Sequence, residues 1–226
     1  MRSGRTEAVS IEVKICGLND PDAVIAAAEG GARYLGFMFY PRSPRAVTPA
    51  RAAELAALVP DRCAKVGVVV DSDDQLIDDI LDDVPLDYLQ LHGEETPERV
   101  AAIKARTGCF TIKALQIADE ADLESIAAYS SVADKLLLDA KPPSKTGSLP
   151  GGNGLSFDWR LLSGRDIGHH WLLAGGLSAD NLAAAVTLCA APAVDVSSGV
   201  EQRPGHKDPA KIRQFLDLAA SLDLPG

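Results

Sequence analysis

One unit recurs along this chain of 226 residues: a short apolar run, a loop, and an Ala/Leu-rich stretch with helical spacing. The unit occurs eight times, with apolar runs at residues 13–16, 34–40, 65–70, 88–92, 110–115, 135–139, 171–174 and 194–196. The runs are rich in β-branched residues and alternate little, as expected of strands that are covered on both faces. Strands that alternate with helices in this way indicate a parallel sheet.

Eight such units predict an α/β fold, the single-domain (β/α)8 TIM barrel, over residues 11–226. An open, doubly wound sheet is the alternative, but no G-x-G-x-x-G motif follows the first strand. Residues 1–10 are polar and are predicted to form a flexible N-terminal extension. Residues 141–156 form the longest irregular stretch. The predicted helices cover residues 23–30, 48–60, 73–83, 96–108 and 120–129, and two more begin at Ser178 and Asp208.

Charge and composition limit the partners and the compartment. A net charge of −10 argues against binding to nucleic acid or to acidic membranes. No apolar run reaches membrane-spanning length, and the N-terminus lacks the apolar core of a signal peptide. The four cysteines are widely spaced without a C-x-x-C pair, which argues against a zinc site and against a disulfide framework. A reducing cytoplasm is the compartment that this pattern indicates. The histidines show no H-x-x-x-H spacing, so no metal is expected, and the pair His169 and His170 is expected to be solvated.

Three glycine-bearing loops indicate where an anion could bind. In a parallel barrel the strands open onto one face at their carboxyl ends, and phosphate often binds to the loops after strands seven and eight. The loop after strand seven contains Gly175 and Gly176, the loop after strand eight contains Ser198 and Gly199, and a third loop ends at Gly154. Glycines let backbone N–H groups approach an anion closely. Each loop alone fits an ordinary tight turn, but the three together predict a phosphorylated ligand.

Two side chains at strand ends are candidates for acid–base chemistry. Cys16 and Asp139 end strands one and six, so both are expected to lie at the face of the barrel formed by the carboxyl ends of the strands. Asp139 follows an apolar run, and an apolar setting favours the protonated carboxyl group that can donate a proton. The structural alternatives are a buried thiol and a capping or salt-bridged carboxylate. A thiolate also needs a group that lowers its pKa, and Lys14 is a weak candidate because residues two apart share a face only in an ideal strand.

Several groups of residues together resemble the phosphoribosylanthranilate isomerase family. They are K-I-C-G at 14–17, G-F-M-F-Y-P-R-S-P-R at 36–45, L-Q-L-H-G at 89–93, F-D-W at 157–159, A-G-G-L at 174–177, V-D-V-S-S-G-V-E at 194–201, P-G at 204–205 and K-D at 207–208. The match runs in order over about residues 11–220, and the combination is highly specific. That family is a (β/α)8 barrel of tryptophan biosynthesis that needs no cofactor.

The resemblance implies an Amadori rearrangement of N-(5′-phosphoribosyl)anthranilate to 1-(2-carboxyphenylamino)-1-deoxyribulose 5-phosphate. It implies that Asp139 is the general acid that protonates the ribose ring oxygen and that Cys16, as thiolate, is the general base that removes the C2′ proton. Arg45 would pair with the anthranilate carboxylate, for which an arginine fork is suited. His92 and Asp195 match family positions at the mouth of the site. The implied phosphate-binding residues are Gly154, Gly175, Gly176, Ser198 and Gly199.

Two other functions stay open at this point. The isomerase of the histidine pathway performs the same rearrangement on a different aminoaldose, but that family has a catalytic aspartate where this chain has Cys16. A non-catalytic barrel that binds sugar phosphates or acts in an assembly is the other alternative, and Cys16, Asp139 and Arg45 argue against it. The expected partner is a small phosphorylated substrate. A monomer is expected, with a homodimer as the alternative.

Overall fold

The structure, a computed structural model, describes residues 11–141, 151–152, 154, 156–168 and 170–222. The predicted extension over residues 1–10 lies outside the described residues, as do His169 and most of the irregular stretch 141–156. The predictions made for these segments, and the domain boundary at residue 11, therefore stay predictions.

Eight parallel strands close into a barrel in their sequence order. They are β1 (Glu12–Cys16), β2 (Tyr34–Met38), β3 (Ala64–Val69), β4 (Tyr88–Leu91), β5 (Phe110–Ile117), β6 (Lys135–Ala140), β7 (Trp171–Leu173) and β8 (Ala193–Val196). The barrel closes where β1 pairs with β8, with Lys14 beside Asp195. The predicted (β/α)8 barrel is thus confirmed, and the open sheet is excluded.

Seven α-helices accompany the strands in the described part of the chain. They are α1 (Pro21–Glu29), α2 (Pro49–Ala56), α3 (Asp74–Asp83), α4 (Pro97–Thr107), α5 (Ile126–Ser130), α6 (Leu182–Cys189) and α7 (Pro209–Ala220). In α1, α2 and α4 an N-cap residue, Asp20, Thr48 or Thr96, precedes a proline. Each cap side chain accepts a hydrogen bond from a backbone N–H of the first turn, which satisfies a donor that the helix leaves free. No helix of the described residues is long and apolar enough to cross a membrane.

The prediction of one continuous α-helix over residues 120–129 is wrong. Residues Ala121–Ser125 form a 3-10 helix, and only α5 is α-helical. Asp122 explains the difference, because its carboxylate accepts hydrogen bonds from the backbone N–H groups of Ala118 at 2.8 Å and Asp119 at 3.4 Å. Such local bonds from a side chain offer the backbone an alternative to a regular α-helix.

The helix predicted to begin at Ser178 starts instead at Leu182. The side chain of Asn181 accepts a hydrogen bond from the Ser178 N–H at 2.8 Å and donates one to the Gly176 carbonyl at 2.9 Å. These two bonds hold the loop after β7 in a turn before the helix. After β6 the described residues contain a 3-10 helix, Trp159–Leu162, so the predicted eight units are not eight full strand–helix pairs.

An antiparallel ribbon, absent from the predicted elements, follows β8. Its strands are β9 (Glu201–Arg203) and β10 (His206–Lys207). Gly205 joins them at a φ of +80°, and a Cβ at this position would lie 2.3 Å from the Pro44 carbonyl oxygen. Only glycine fits there. The ribbon therefore rests on the loop after β2.

The barrel interior is small and partly polar, whereas a larger apolar core lies between the strands and the helices. The interior contains two fully buried polar side chains, Lys14 and Gln90, and the nearly buried Asp195. Burying a charge is costly unless it is paired, so polar groups at this depth need a structural or chemical reason. The apolar residues of the interior are Cys16, Tyr34, Ala64, Val66, Val68, Ile112, Ala114, Leu137, Leu172, Ala174 and Ala193.

Candidate active site

A cleft opens at the carboxyl ends of the barrel strands and consists of two adjoining cavities. Asp139, Asp195 and Ser197 line both cavities, so one ligand can extend from the first into the second. The first cavity is walled mainly by glycine-bearing loops. The residues that line the second cavity alone are Cys16, Met38, Tyr40, Ser43, Arg45, Val70 and His92.

Cys16 and Asp139 line the same cavity, as the sequence predicts for the ends of strands one and six. Both are nearly buried, with 6% and 7% of their surface exposed. Asp139 Oδ1 accepts a hydrogen bond from the Ala140 N–H at 2.8 Å. Burial raises the pKa of the Cys16 thiol above its ordinary value, although Lys14 opposes this shift. A thiolate at this position therefore depends on neighbouring cations.

The expectation that Lys14 is a weak partner for Cys16 is wrong. Both side chains turn toward Gly36 on the neighbouring strand β2, where an added Cβ would lie 3.2 Å from Lys14 Nζ and 3.3 Å from Cys16 Sγ. Lys14 Nζ also donates a hydrogen bond to Asp195 Oδ1 at 2.8 Å. Burial alone would lower the pKa of Lys14, but Asp195 and Cys16 outweigh it and raise that pKa. A charged ammonium therefore stands beside the thiol.

His92 lies beside Asp139, with its Nε2 at 3.3 Å from Asp139 Oδ2. The side chain of Gln90, buried in β4, places its Nε2 at 2.7 Å from His92 Nδ1. With the amide nitrogen as the donor of this bond, the neutral imidazole carries its proton on Nε2, which faces the carboxyl group. The three side chains form a chain from the barrel interior to the cleft.

Arg45 lines the second cavity, but its guanidinium fork is already occupied. Nε donates to Glu201 Oε1 at 2.7 Å, and Nη2 donates to Glu201 Oε2 at 2.9 Å and to the Gly152 carbonyl at 3.2 Å. Within the part of the chain that the structure describes, Nη1 makes no hydrogen bond and lies against Gly152. The two-point contact expected between Arg45 and a ligand carboxylate is thus made with Glu201, and Nη1 is the nitrogen left for a ligand.

Lys207 of β10 balances the charge of Glu201. Its Nζ donates to Glu201 Oε1 at 2.8 Å and to the carbonyl and hydroxyl oxygens of Ser197 at 2.9 and 3.2 Å. The Ser197 hydroxyl in turn donates to the Cys16 carbonyl oxygen at 3.1 Å. Burial disfavours the charged form of Glu201, but Arg45 and Lys207 outweigh it and hold the pKa of that carboxyl below its usual value. The ribbon is therefore tied to the end of β1.

The first cavity contains most of the residues predicted to bind phosphate. Three glycines among them have φ values of +68°, +89° and +66°, in chain order, which glycine adopts most readily. Gly199 is not in the lining, because it packs behind the cavity, where an added Cβ would lie 2.0 Å from the Leu177 carbonyl oxygen. The predicted residues in the lining are Gly154, Gly175, Gly176 and Ser198.

Two other charged residues, one in β5 and one just after β3, contact the loop after β4 and not the cleft. Lys113 of β5 donates a hydrogen bond to Glu95 Oε2 at 2.7 Å. Asp71, which follows β3, accepts one from the Glu94 N–H at 2.7 Å. These contacts fix the loop that follows His92. Among the residues that the structure describes, no group of three or more His, Cys, Asp and Glu side chains is arranged to hold a metal ion.

Gln90, Glu201 and Lys207 are among the residues of the site that are not predicted from the sequence. The spacing could have revealed Gln90, because it stands two residues before His92 in a strand and such residues share a face. Glu201 and Lys207 fall within the motifs at 194–201 and 207–208, but the contacts of Glu201 with Arg45 and Lys207 depend on a ribbon that no local pattern signals.

A closed parallel barrel with a polar, glycine-lined cleft at the carboxyl ends of its strands is the architecture of the (β/α)8-barrel enzymes. Comparison with known proteins makes the class specific. A family model described as N-(5′-phosphoribosyl)anthranilate (PRA) isomerase matches residues 13–218. The N-(5′-phosphoribosyl)anthranilate isomerase of Rhodospirillum centenum is 58% identical over 212 residues, covering 94% of this chain and 99% of that protein.

Two solved structures agree with this match. Monomers generated from the dimeric phosphoribosylanthranilate isomerase of Thermotoga maritima superpose with a TM-score of 0.80 at 36% identity, covering 94% of this chain and all of that one. A phosphoribosyl anthranilate isomerase in complex with reduced 1-(o-carboxyphenylamino)-1-deoxyribulose 5-phosphate gives a TM-score of 0.81 at 35% identity, with coverage of 94% and 100%. The chain belongs to the phosphoribosylanthranilate isomerase family, and these matches do not support the histidine-pathway alternative.

Proposed function

We propose that this chain isomerises N-(5′-phosphoribosyl)anthranilate to 1-(2-carboxyphenylamino)-1-deoxyribulose 5-phosphate in tryptophan biosynthesis, with Cys16 as base and Asp139 as acid. One observation carries the assignment of the two residues. They line one cavity, and Asp139 also lines the adjoining cavity of glycine-bearing loops. A substrate with a benzoate at one end and a phosphate at the other has its reacting carbons between the two.

Asp139 acts first, in the opening of the ribose ring. Its protonated carboxyl group donates to the ring oxygen while the bond from that oxygen to C1′ breaks. The anilino nitrogen supplies the electron pair that forms the Schiff base. The carboxylate left behind accepts a hydrogen bond from the Ala140 N–H at 2.8 Å, and His92 Nε2 lies 3.3 Å from its other oxygen. Fixed donors of this kind stabilise charge that develops during a reaction.

Cys16 acts second, at C2′. Its thiolate removes the C2′ proton, and the electron pair of that C–H bond moves into the enolamine. The enolamine becomes the ketone when the C2′ hydroxyl loses its proton and C1′ gains one, so the elemental composition is unchanged. Cys16 then holds a proton that Asp139 lacks, and exchange with water returns both groups to their starting states.

The two ends of the substrate fit the two cavities. Arg45 offers Nη1 to the benzoate, and Met38 and Val70 supply apolar wall for its ring. The phosphate fits the loops of the first cavity, where Ser198 offers a hydroxyl group and the glycines leave their backbone accessible. Gly199 supports these loops from behind through its contact with Leu177.

Two assays test the proposed function. The purified protein is expected to convert N-(5′-phosphoribosyl)anthranilate and to leave the aminoaldose phosphate of the histidine pathway unchanged. Its gene is expected to restore growth of a tryptophan auxotroph that lacks the isomerase. Turnover of the histidine-pathway substrate alone would overturn the assignment, and failure of a well-folded protein in both assays would favour a non-catalytic barrel.

The assembly and the compartment are further parts of the proposal. We expect a monomer in the cytoplasm, and the four free thiols at Cys16, Cys63, Cys109 and Cys189 suit a reducing compartment. Sedimentation equilibrium of the purified protein tests whether it is a monomer, because a dimer would give twice the monomer mass.

A further inference from the structure

Lys14 is a buried charge to which the proposed mechanism gives no role. It lies inside the barrel with none of its surface exposed, and the strand register sets it beside Asp195. Placing an ammonium there is costly unless it is paired and hydrogen-bonded, and other positions of this interior hold Val, Ala and Leu. We propose that Lys14 is a positioning residue that stabilises the thiolate of Cys16, in competition with Asp195. The inference rests on the proposed role of Cys16 as the base.

Gly36 of β2 provides the space in which the two side chains meet. The register aligns Gly36 with Cys16. An added Cβ would lie within 3.3 Å of both Lys14 Nζ and Cys16 Sγ, so the amine and the sulfur flank the same point beside the glycine. Any larger residue would press on both atoms. The absence of a side chain at Gly36 therefore suits a contact between the lysine and the thiol.

Three charged groups act on Cys16. Lys14 on the same strand and Lys207 on β10 lower the pKa of the thiol, whereas Asp195 on β8 raises it. The neighbouring strand β2 presents the uncharged Gly36. Burial is the largest effect and favours the neutral thiol, so the thiolate depends on the two lysines.

One ammonium thus serves two acceptors. In the resting site Lys14 bonds to Asp195 at 2.8 Å, and the pair is neutral as a whole. When Cys16 loses its proton, the same ammonium faces two anions. Removing Lys14 and removing the charge of Asp195 should therefore change the acidity of Cys16 in opposite directions, a result that simple loosening of the barrel would not give.

The test measures the reactivity of the thiol rather than turnover. Iodoacetamide alkylation of Cys16, followed by peptide mass spectrometry over a range of pH, reports the thiolate fraction in the folded protein. Lys14→Met is expected to slow alkylation roughly tenfold at neutral pH, the effect of about one unit of pKa. Asp195→Asn is expected to accelerate it. Lys113→Met removes the other buried barrel lysine, which pairs with Glu95, and is expected to leave the profile unchanged.

A comparison of two variants covers the case in which Lys14→Met does not fold. Lys14→Met combined with Asp195→Asn leaves no unpaired buried charge at the two positions, and its Cys16 should react more slowly than that of Asp195→Asn alone. An equal or faster rate would overturn the inference. This test and the test of the proposed function can fail separately, because the alkylation rates of the variants can be compared whether or not the wild-type protein has isomerase activity.

Discussion

Arg45 and Glu201 meet fork to fork, with Nε to Oε1 at 2.7 Å and Nη2 to Oε2 at 2.9 Å. The two residues stand 156 positions apart and come from the loop after β2 and the ribbon after β8. Because the carboxylate holds two guanidinium donors, the direction of the remaining Nη1 is fixed before a ligand arrives. A donor fixed in advance lowers the entropy cost of binding.

Glu201→Gln is expected to raise KM while changing kcat little. The substitution weakens the ion pair that orients Arg45. A loss of about 1.4 kcal/mol in substrate binding would raise KM roughly tenfold. Steady-state kinetics with N-(5′-phosphoribosyl)anthranilate measure it. Glu54→Gln is the matched control, since Glu54 pairs with Arg51 at the surface and such pairs contribute little. An unchanged KM would show that Arg45 is oriented without Glu201.

Arg45→Ala is expected to lower kcat/KM by roughly tenfold to a hundredfold, the value of a hydrogen bond to a charged group. The effect should fall mainly on KM, because the contact with the substrate carboxylate is present before and after the chemical step. If kcat/KM stays at the wild-type level, another group holds the carboxylate.

Cys16→Ala and Asp139→Asn are each expected to reduce kcat at least about a hundredfold, the usual range for general acid–base groups. The fold should survive, because asparagine keeps an oxygen that can accept the bond from the Ala140 N–H. Cys63→Ala removes another buried thiol and serves as the control with near-normal kcat. Near-normal turnover in either site variant would remove that residue from its role.

Acid should reduce the stability that Glu201 contributes. Its pKa in the folded protein lies below the ordinary value of 4.5, so its contribution is complete above pH 4.5 and is lost as the pH falls through the folded value. Above pH 4.5 the wild type should exceed Glu201→Gln in free energy of unfolding by about 3 kcal/mol, as expected when a buried pair loses one partner. Urea unfolding at several pH values measures the difference. A difference that stays constant on acidification would contradict the assignment.

Gln90→Leu is expected to lower kcat severalfold with little change in stability. The amide orients His92 through the 2.7 Å contact, but Gln90 Oε1 is buried without a partner among the described residues. Leucine removes this unsatisfied oxygen, which offsets the lost bond to within about 1 kcal/mol. Thermal unfolding and kcat together test the prediction, and a variant that is much less stable but has normal kcat would contradict it.

The barrel and its strands could be predicted because the signal is local. Apolar runs and capping residues such as Thr48 and Thr96 act within a few residues of each other. The same locality explains the failure at residues 120–129, where the Asp122 side chain competes with the helix for backbone donors. Helix periodicity does not reveal that competition.

The charge network could not be predicted, because it depends on how distant elements meet. Strand position alone predicts that Cys16 and Asp139 share one face. It does not predict that Glu201 would occupy the fork of Arg45, since that contact needs the ribbon to fold onto the loop after β2. The inward turn of Lys14 likewise depends on Gly36 in the next strand.

The closure of β1 on β8 has a consequence for synthesis of the chain on the ribosome. The hydrogen bonds from Lys14 to Asp195 and from Ser197 to Cys16 each join residues 181 positions apart. A nascent chain that has not yet produced β8 and β10 therefore exposes Cys16 without Asp195 and Lys207, two of the three charged groups that act on the thiol. The charged groups around the thiol are complete only when these late strands have been made, so the reactivity of this one atom reports that the barrel is complete.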